Sequence, residues 1–168
     1  MSQTPRTVTV TVVEKSPRKL ILKRGVTATD YWSYCEEMGC DVWEELAAIP
    51  SLLEGPSLCS LPPHMIPTGT SMVACAIEVP ADFSGVVPHG CEIIDLPPHL
   101  YLWFQGAPYE DESWFGSAHE ELDKAIANYR PEQYGYVYAR DKAPVFIHGS
   151  SAAGGTKKLI PVRKLPTN

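Results

Sequence analysis

The sequence lacks both an apolar run of membrane-spanning length and an excess of basic residues. Its longest apolar run, Met72 to Ile77, is only as long as a strand, whereas a helix needs about 20 residues to cross a bilayer. Its 14 lysine and arginine residues are outnumbered by 20 aspartate and glutamate residues, which gives a formal net charge of −6. Because a protein that binds nucleic acid needs a basic surface to replace counterions, we expect neither a membrane nor DNA or RNA as a direct partner.

The sequence also lacks the marks of secretion and of a metal or phosphate site. The N-terminus has no apolar signal segment, and the five cysteines follow no disulfide or metal-ligand spacing. Cys35 and Cys40 are close in sequence, but no second pair and no histidine cluster completes a tetrahedral set. The small-residue segment Gly149 to Gly155 lacks the Lys-Ser/Thr ending of a phosphate-binding loop. We therefore expect a reduced, cytoplasmic protein without metal or cofactor.

The length and apolar content fit one folded domain, residues 1–168. Alternating apolar and polar positions predict strands, whereas apolar positions three and four apart predict helices. The predicted strands are Arg6–Glu14, Lys19–Arg24, Pro56–Leu61, Ser71–Val79, Cys91–Leu96, His99–Gln105, Tyr134–Ala139, Val145–His148 and Lys157–Lys164. The first predicted helix begins after a cap formed by Thr27 and Asp30 and ends at Gly39, and a second helical segment continues to Ile49. A longer helix is predicted by the apolar stripe from Phe115 to Tyr129.

The order strand–helix–strand–strand occurs twice along the chain. Each set begins with a strand that ends at a glycine, Gly25 in the first and Gly106 in the second. This order predicts an α+β fold, namely a duplicated β-α-β-β pseudo-twofold domain with two helices on one face of an antiparallel sheet and a ligand cleft on the other. The strand and helix periods also predict one core that contains Leu102, Phe104, Leu122 and Ile126.

Several strands carry aromatic side chains on the face that the helices should leave open. The aliphatic positions of His99–Gln105 mark its core face and place Tyr101 and Trp103 on the opposite face. An uncovered aromatic face suits a ligand, although cross-strand packing or a dimer contact would give the same pattern. The expected ligand-binding residues are Tyr101, Trp103, Tyr136 and Tyr138 in one concavity, Trp43 or Trp114 as a wall from the helix side, and Met72, Ala74 and Tyr134 beside them.

Glu78 is the acidic residue of interest because it lies on the same side of its strand as Met72 and Ala74. A carboxylate on an aromatic face would be partly desolvated, so it would neutralise a cationic ligand or act as a general acid or base. The alternative is a solvated glutamate at the end of a strand, beside Pro80. Glu78 is therefore the expected catalytic residue only if the protein is an enzyme.

The chain resembles the GyrI-like (gyrase-inhibitor-like) small-molecule-binding family over the stretches 19–25, 71–80, 96–106 and 159–163. The resemblance implies the fold of the effector domain found in some AraC-type and MerR-type multidrug-responsive activators, here as a stand-alone chain. Many members place a glutamate and a tyrosine in the penultimate strand as an anchor for cationic drugs. Ile147 and Gly149 stand at the corresponding positions here, so we expect neutral or weakly polar aromatic ligands to be preferred over cations.

Three functions remain open from the sequence. The first is a module that senses or sequesters a planar, largely apolar or xenobiotic small molecule. The second, implied by the resemblance to some stand-alone members, is a detoxifying hydrolase that uses water to open the cyclopropane ring of DNA-alkylating compounds. The third is an interaction with DNA gyrase, which the family name implies. No DNA-reading domain accompanies this one, so we rank small-molecule binding first.

Overall fold

The computed structural model describes residues 7–52, 55–148 and 152–166. In these ranges the chain is an α+β protein whose nine strands form one sheet with antiparallel pairings throughout. The strands are β1 (Thr9–Lys15), β2 (Arg18–Arg24), β3 (Ser57–Ser60), β4 (Val73–Pro80), β5 (Glu92–Leu96), β6 (His99–Gln105), β7 (Tyr136–Tyr138), β8 (Val145–His148) and β9 (Lys157–Lys164). The helices are α1 (Tyr31–Met38), α2 (Val42–Ala47) and α3 (Phe115–Asn128). None of these three helices is long and apolar enough to span a bilayer.

The bounds of most strands lie within about two residues of those predicted, apart from Arg6, which falls outside the described residues. One difference is at β7, which is predicted to begin at Tyr134 and begins at Tyr136. Pro131–Tyr134 instead forms a short 3-10 helix, and Gly135 ends it in a left-handed conformation at a φ of 87°. Since a residue with a side chain rarely adopts that conformation, Gly135 separates the helical turn from the strand.

The start of α1 differs slightly from the predicted cap. The N-cap is Asp30, whose side chain accepts a hydrogen bond of 2.8 Å from the Ser33 backbone N–H, while the Ser33 hydroxyl accepts one from the Asp30 N–H. Thr27 instead contacts the C-terminal part of α1: its backbone N–H and its hydroxyl both donate hydrogen bonds to the Glu37 carboxylate. Gly39, at a φ of 87°, ends the helix as predicted.

The sheet order is β1-β6-β9-β8-β3-β4-β2-β5, with β7 paired to β9. Five strands therefore separate β1 from β2, which corresponds to about 29 Å along a flat sheet. The chain joins Lys15, at the end of β1, to Arg18, at the start of β2, in three steps that span at most about 11 Å. The sheet must therefore curl strongly, so that the end of β1 approaches the start of β2.

All three helices pack on one face of this sheet, which we call the outer face. The strand register connects Cys75 through Leu58, Ile147 and Lys158 to Phe104, so these residues share that face. One core cluster packs Tyr34, Val42 and Leu46 of the first two helices against Ile21, Cys75 and Ile77. The other packs Leu122 and Ile126 of α3 against Leu102, Phe104 and Ile160. The predicted core of Leu102, Phe104, Leu122 and Ile126 is confirmed.

The opposite face, which we call the inner face, is the concave side of the curl. It holds a third cluster whose buried members come from strands far apart in the sheet order, including Leu20, Leu22, Cys59, Ala74, Leu96, Tyr101, Phe146 and Leu159. The prediction that Tyr101 and Trp103 face away from the helices is confirmed, because both belong to this cluster or pack against it. Core packing therefore fills part of the concavity.

Candidate functional site

A cavity of about 780 Å³ opens on the inner face. Its described lining includes the ends of β1, β6, β8 and β9 together with Leu52, Ala107, Pro108 and Gly154. The volume lies within the range of about 300–1,000 Å³ that is usual for small-molecule sites. The cavity is the candidate functional site.

The strand register brings four polar side chains into line across the floor of this cavity. Thr9 pairs with Gln105, Gln105 pairs with Lys157, and Lys157 pairs with His148. All four side chains line the cavity, and we call them the polar row. Because paired residues of an antiparallel sheet point to the same side, the polar row is a direct consequence of the register.

An apolar row lies directly beside the polar row, two positions away on β6, β9 and β8, and continues onto β3 and β4. It consists of Trp103, Leu159, Phe146, Cys59 and Ala74, which are paired in that order across the sheet. Trp103 is the partly buried member, and it lines the cavity. The other four are fully buried. The cavity therefore offers one aromatic ring next to a line of polar groups.

The Trp103 ring is held in place by Gln105. Its indole N–H donates a hydrogen bond of 3.1 Å to the Gln105 side-chain oxygen. The Gln105 amide nitrogen in turn donates to the backbone oxygens of Gly106, at 2.8 Å, and Gly154, at 3.1 Å. With its side chain engaged on both ends, Gln105 fixes the indole and ties β6 to the loop before β9.

That loop depends on a close approach of two glycines. Gly155 has a φ of 69°, and a side chain on it would collide with the carbonyl oxygen of Gly106. The Gly106 N–H also donates a hydrogen bond of 2.7 Å to the Thr156 carbonyl. The sequence predicts only that this segment is a flexible loop between strands. In the described residues 152–156, the glycine instead permits the backbone contact that forms one wall of the cavity.

Glu78 lies on the inner face, and its backbone carbonyl accepts a hydrogen bond of 3.0 Å from the N–H of Leu52, which lines the cavity. Its carboxylate contacts two cations: Lys15 Nζ lies 2.6 Å from Oε2, and Arg18 Nε lies 3.1 Å from Oε1. Glu78 is 4% exposed, so the alternative of a solvated glutamate is wrong. Burial lowers the pKa of Lys15, an effect that the neighbouring Glu78 carboxylate opposes. Because both carboxylate oxygens already accept charged hydrogen bonds, Glu78 is poorly placed to neutralise a cationic ligand or to transfer a proton.

Tyr101 and Ala74 are on the inner face as expected but lie within its core. Both are fully buried, and the Tyr101 hydroxyl donates a hydrogen bond of 3.0 Å to the Pro144 carbonyl. Burial raises the pKa of Tyr101. Met72 lies just before β4 and is 44% exposed. The described lining of the cavity includes none of these three residues.

The prediction that Tyr136 and Tyr138 share a concavity with Trp103 is wrong. Tyr138 pairs with Val162, and both tyrosines pack against the outer-face core that contains Leu102 and Phe104. Tyr134 is 64% exposed and stacks on Tyr129, with ring centroids 5.4 Å apart. Strand β7 is short and apolar on both sides, so its alternation did not reveal which side faces the helices.

The two tryptophans predicted as walls do not line the cavity either. Trp43 packs on the outer-face core, with its ring 5.3 Å from that of Tyr31 and 5.5 Å from that of Tyr34. Trp114 packs against the small cluster of Tyr109, Ala118 and Ala152. An outer-face residue such as Trp43 is separated from the inner face by the sheet itself.

Ile147 also lies on the outer face, packed against the core beneath α1 and α2. The argument that its apolar side chain sets the ligand charge preference is therefore wrong, because residue 147 does not face the cavity. Its neighbour His148 does. Sequence reasoning also missed Gln105 and Lys157. The period-two rule that places Trp103 on the inner face also places Gln105 there, two positions later.

No metal centre is apparent in the part of the chain that the structure describes. There, no three or more histidine, cysteine, aspartate or glutamate side chains are grouped so that they could hold a metal ion.

Comparison with known proteins identifies the fold. SAV2435 bound to tetraphenylphosphonium is 17% identical to this chain, with a TM-score of 0.56 over 92% of this chain and 94% of that one. The C-terminal domain of EcmrR is 15% identical, with a TM-score of 0.53 over 94% of this chain and 99% of that one. An EcmrR–DNA complex is 16% identical, with a TM-score of 0.50, and the match spans 94% of this chain and 58% of that one.

The chain shares the fold of these domains. The sequence resemblance to the GyrI-like family is therefore supported at the level of the fold and not at the level of the family. No protein-family model matches the chain, and no curated protein matches it significantly. At identities of 15–17%, the structural likeness establishes the fold alone.

Proposed function

We propose that this chain is a small-molecule-binding protein of the GyrI-like type, which senses or sequesters a planar, largely apolar ligand in the inner-face cavity. The observation that carries the proposal is the Trp103 ring, which is fixed by Gln105 and lines a cavity of about 780 Å³. An aromatic ring gives a planar ligand a large contact area, and because this ring is already ordered, little conformational entropy is lost on binding.

The polar row completes the features of a small-molecule site. Such sites combine a mainly apolar lining with a few polar groups that orient the ligand, and Thr9, Lys157 and His148 are polar groups of this kind. SAV2435, which has the same fold, has been solved with tetraphenylphosphonium bound. That relative supports a ligand-binding role for the fold, although its ligand is a cation.

We also propose that the two halves of the chain arose by duplication, with the ligand held by the curl between them. The sheet order supports this, because β2, β4 and β3 of the first half lie in the reverse order to β6, β9 and β8 of the second half, with β5 and β1 added at the two outer edges. Each group has helical cover on the outer face, from α3 in one case and from α1 and α2 in the other. The cavity and the buried inner cluster both lie within the resulting curl.

Calorimetric titration with a panel of planar aromatic dyes tests the binding proposal. We expect at least one dye to bind with micromolar affinity, or about −8 kcal/mol, and Trp103→Ala to weaken that binding tenfold or more. Trp32→Ala is the matched control, because Trp32 is 67% exposed on α1, and its affinity should not change. Equal affinity in a folded Trp103→Ala variant, or no binding by any dye, would contradict the proposal.

A further inference from the structure

We propose that Cys35 and Cys40 form a redox-sensitive pair, which a peroxide oxidises to an intramolecular disulfide. The pair lies where α1 ends and α2 begins. These helices pack on the outer face, whereas the cavity opens on the inner face. The inference is therefore independent of the proposed ligand, and it assigns a modification site to the helix junction. Three observations lead to it.

The first observation is the contact between the two thiols. Cys35 lies in the last turn of α1, which ends at Gly39, and Cys40 follows that glycine directly. The side chain of Cys35 is in hydrogen-bonding contact with that of Cys40. The Tyr31 hydroxyl contacts both thiols. Because a disulfide needs two Cβ atoms that come within about 4.5 Å of each other, thiols that already touch need little backbone movement to form one.

The second observation is that hydrogen bonds and ring packing hold this junction together. The Gly39 N–H donates a hydrogen bond of 2.9 Å to the Cys35 carbonyl. The Trp43 N–H donates one of 3.2 Å to the Cys40 carbonyl. Tyr31 of α1 and Trp43 of α2 pack edge to face, with ring centroids 5.3 Å apart. The two cysteines therefore lie on a structured turn, which keeps their side chains next to each other.

The third observation is the difference in exposure among the cysteines. Cys40 is exposed, whereas Cys59 and Cys75 are fully buried. Cys35 and Cys91 are partly buried, and burial raises the pKa of both thiols. Oxidation by a peroxide requires an accessible thiol that can ionise. Cys40 is therefore the thiol that the oxidant reaches first, and Cys35 is the thiol in contact with it.

The oxidation has two steps and consumes one peroxide. The Cys40 thiolate attacks the peroxide, so that the O–O bond breaks, an S–O bond forms and hydroxide leaves, which makes Cys40 a sulfenic acid. The Cys35 sulfur then attacks the Cys40 sulfur. An S–S bond forms as the S–O bond breaks, and the hydroxyl group leaves with the Cys35 proton as water. The two thiols lose two electrons to the peroxide, and a reducing dithiol reverses the reaction by thiol–disulfide exchange.

Mass spectrometry of the folded protein after treatment with hydrogen peroxide tests the inference. The intact chain should lose the mass of two hydrogen atoms, and dithiothreitol should restore it. Glu36 and Glu37 lie between the two cysteines, so a glutamate-specific protease cuts the chain there. The peptides that carry Cys35 and Cys40 should then stay joined until they are reduced. A cross-link between any other two cysteines, or addition of oxygen without a cross-link, would overturn the proposal.

Serine variants assign the role of each thiol. Cys40→Ser, at an exposed position, should abolish the loss of the two hydrogen atoms. Cys35→Ser should stop the reaction at the Cys40 sulfenic acid, which dimedone traps. Cys91→Ser is the matched control, because Cys91 is partly buried like Cys35 but lies just before β5, and this variant should form the disulfide as the parent does. If Cys40→Ser still loses two hydrogen atoms, or Cys91→Ser does not, another pair is oxidised and the inference is wrong.

Discussion

Lys15 Nζ lies 2.6 Å from Glu78 Oε2, and this contact joins the edge strand β1 to β4 although four strands separate them in the sheet. It is the clearest sign that the sheet curls. Arg18 binds the other carboxylate oxygen and also donates a hydrogen bond of 3.3 Å to the Pro97 carbonyl. The three charged groups therefore hold β1 and β2 to β4 across the inner face and fasten the curl.

Glu78→Gln should destabilise the protein strongly because it leaves Lys15 and Arg18 buried without a counter-charge. Removing one partner of a buried ion pair typically costs about 3–5 kcal/mol, which urea unfolding would measure. Glu92→Gln is the matched control on the same face. Since Glu92 is 47% exposed, its loss should cost about 1 kcal/mol or less. Equal effects of the two substitutions would contradict the fastening role of Glu78.

Leu122→Ala should show that α3 is anchored by the outer-face core. Leu122 is 1% exposed and packs with Leu102 and Phe104. Truncation of such a residue lowers the free energy of unfolding by about 2–5 kcal/mol. Lys124→Ala, at an exposed position of the same helix, should stay within about 0.5 kcal/mol of the parent protein. A loss of that small size at Leu122 would mean that α3 does not pack as described.

Glu37 should make stability depend on pH in the acidic range. Its carboxylate accepts hydrogen bonds from the Thr27 side chain and from the backbone N–H groups of Val26, Thr27 and Ala28, which lower its pKa to about 2. The unfolded value is about 4.3. The folded state therefore binds fewer protons between these values, so the stabilisation is complete above about pH 4.3 and lost as the pH falls towards about 2.

Comparison with Glu37→Gln isolates this effect. The parent protein should be more stable than the variant near neutral pH, and the difference should shrink when unfolding is measured at about pH 2. Glu36→Gln is the matched control, because it removes a carboxylate at the adjacent exposed position of α1 and leaves the hydrogen bonds of Glu37 in place. A Glu37→Gln effect that is constant across the acidic range would show that these hydrogen bonds do not depend on the ionised carboxylate.

Two tyrosine hydroxyls should respond in opposite ways to the same substitution. Tyr101→Phe removes the hydrogen bond to the Pro144 carbonyl and should cost about 1 kcal/mol or more, because a buried carbonyl loses its partner. The Tyr138 hydroxyl is buried and has no hydrogen-bond partner among the described residues, so Tyr138→Phe should be neutral or stabilising. Thermal unfolding of the two variants gives the comparison, and a larger loss for Tyr138→Phe would contradict the assigned contacts.

The sequence predicted most of the fold because most strands have one aliphatic face. In β6, the alternation of Leu102 and Phe104 with Tyr101 and Trp103 separates the outer and inner faces correctly. In β7, tyrosines alternate with Val137, so both faces are apolar and periodicity cannot choose between them. The tertiary pairing of Tyr138 with Val162 makes that choice.

The candidate site was less predictable because it depends on long-range strand pairing. Ser16 and Pro17 form a link of hairpin length, yet β1 pairs with β6 and not with β2. Without that pairing, nothing in the local sequence brings Thr9, Gln105, Lys157 and His148 together. Among the predicted binding residues, Trp103 is in the described lining of the cavity. Most of the others are aromatic, a property that also suits the outer-face core, whereas Met72 and Ala74 are predicted from the alternation along residues 71–79.

The indole N–H resonances of the four tryptophans offer the most direct test of the account, whose central claim is that the inner-face cavity binds a small molecule at Trp103. Titration with anthracenemethanol, followed by two-dimensional nitrogen–proton NMR and assigned with Trp103→Phe, should shift the Trp103 signal in a saturable way. The signals of Trp32 and Trp43, which lie on α1 and on the outer-face side of the sheet, should stay in place. A stationary Trp103 signal at saturating ligand, or saturable shifts confined to Trp32 and Trp43, would contradict the account.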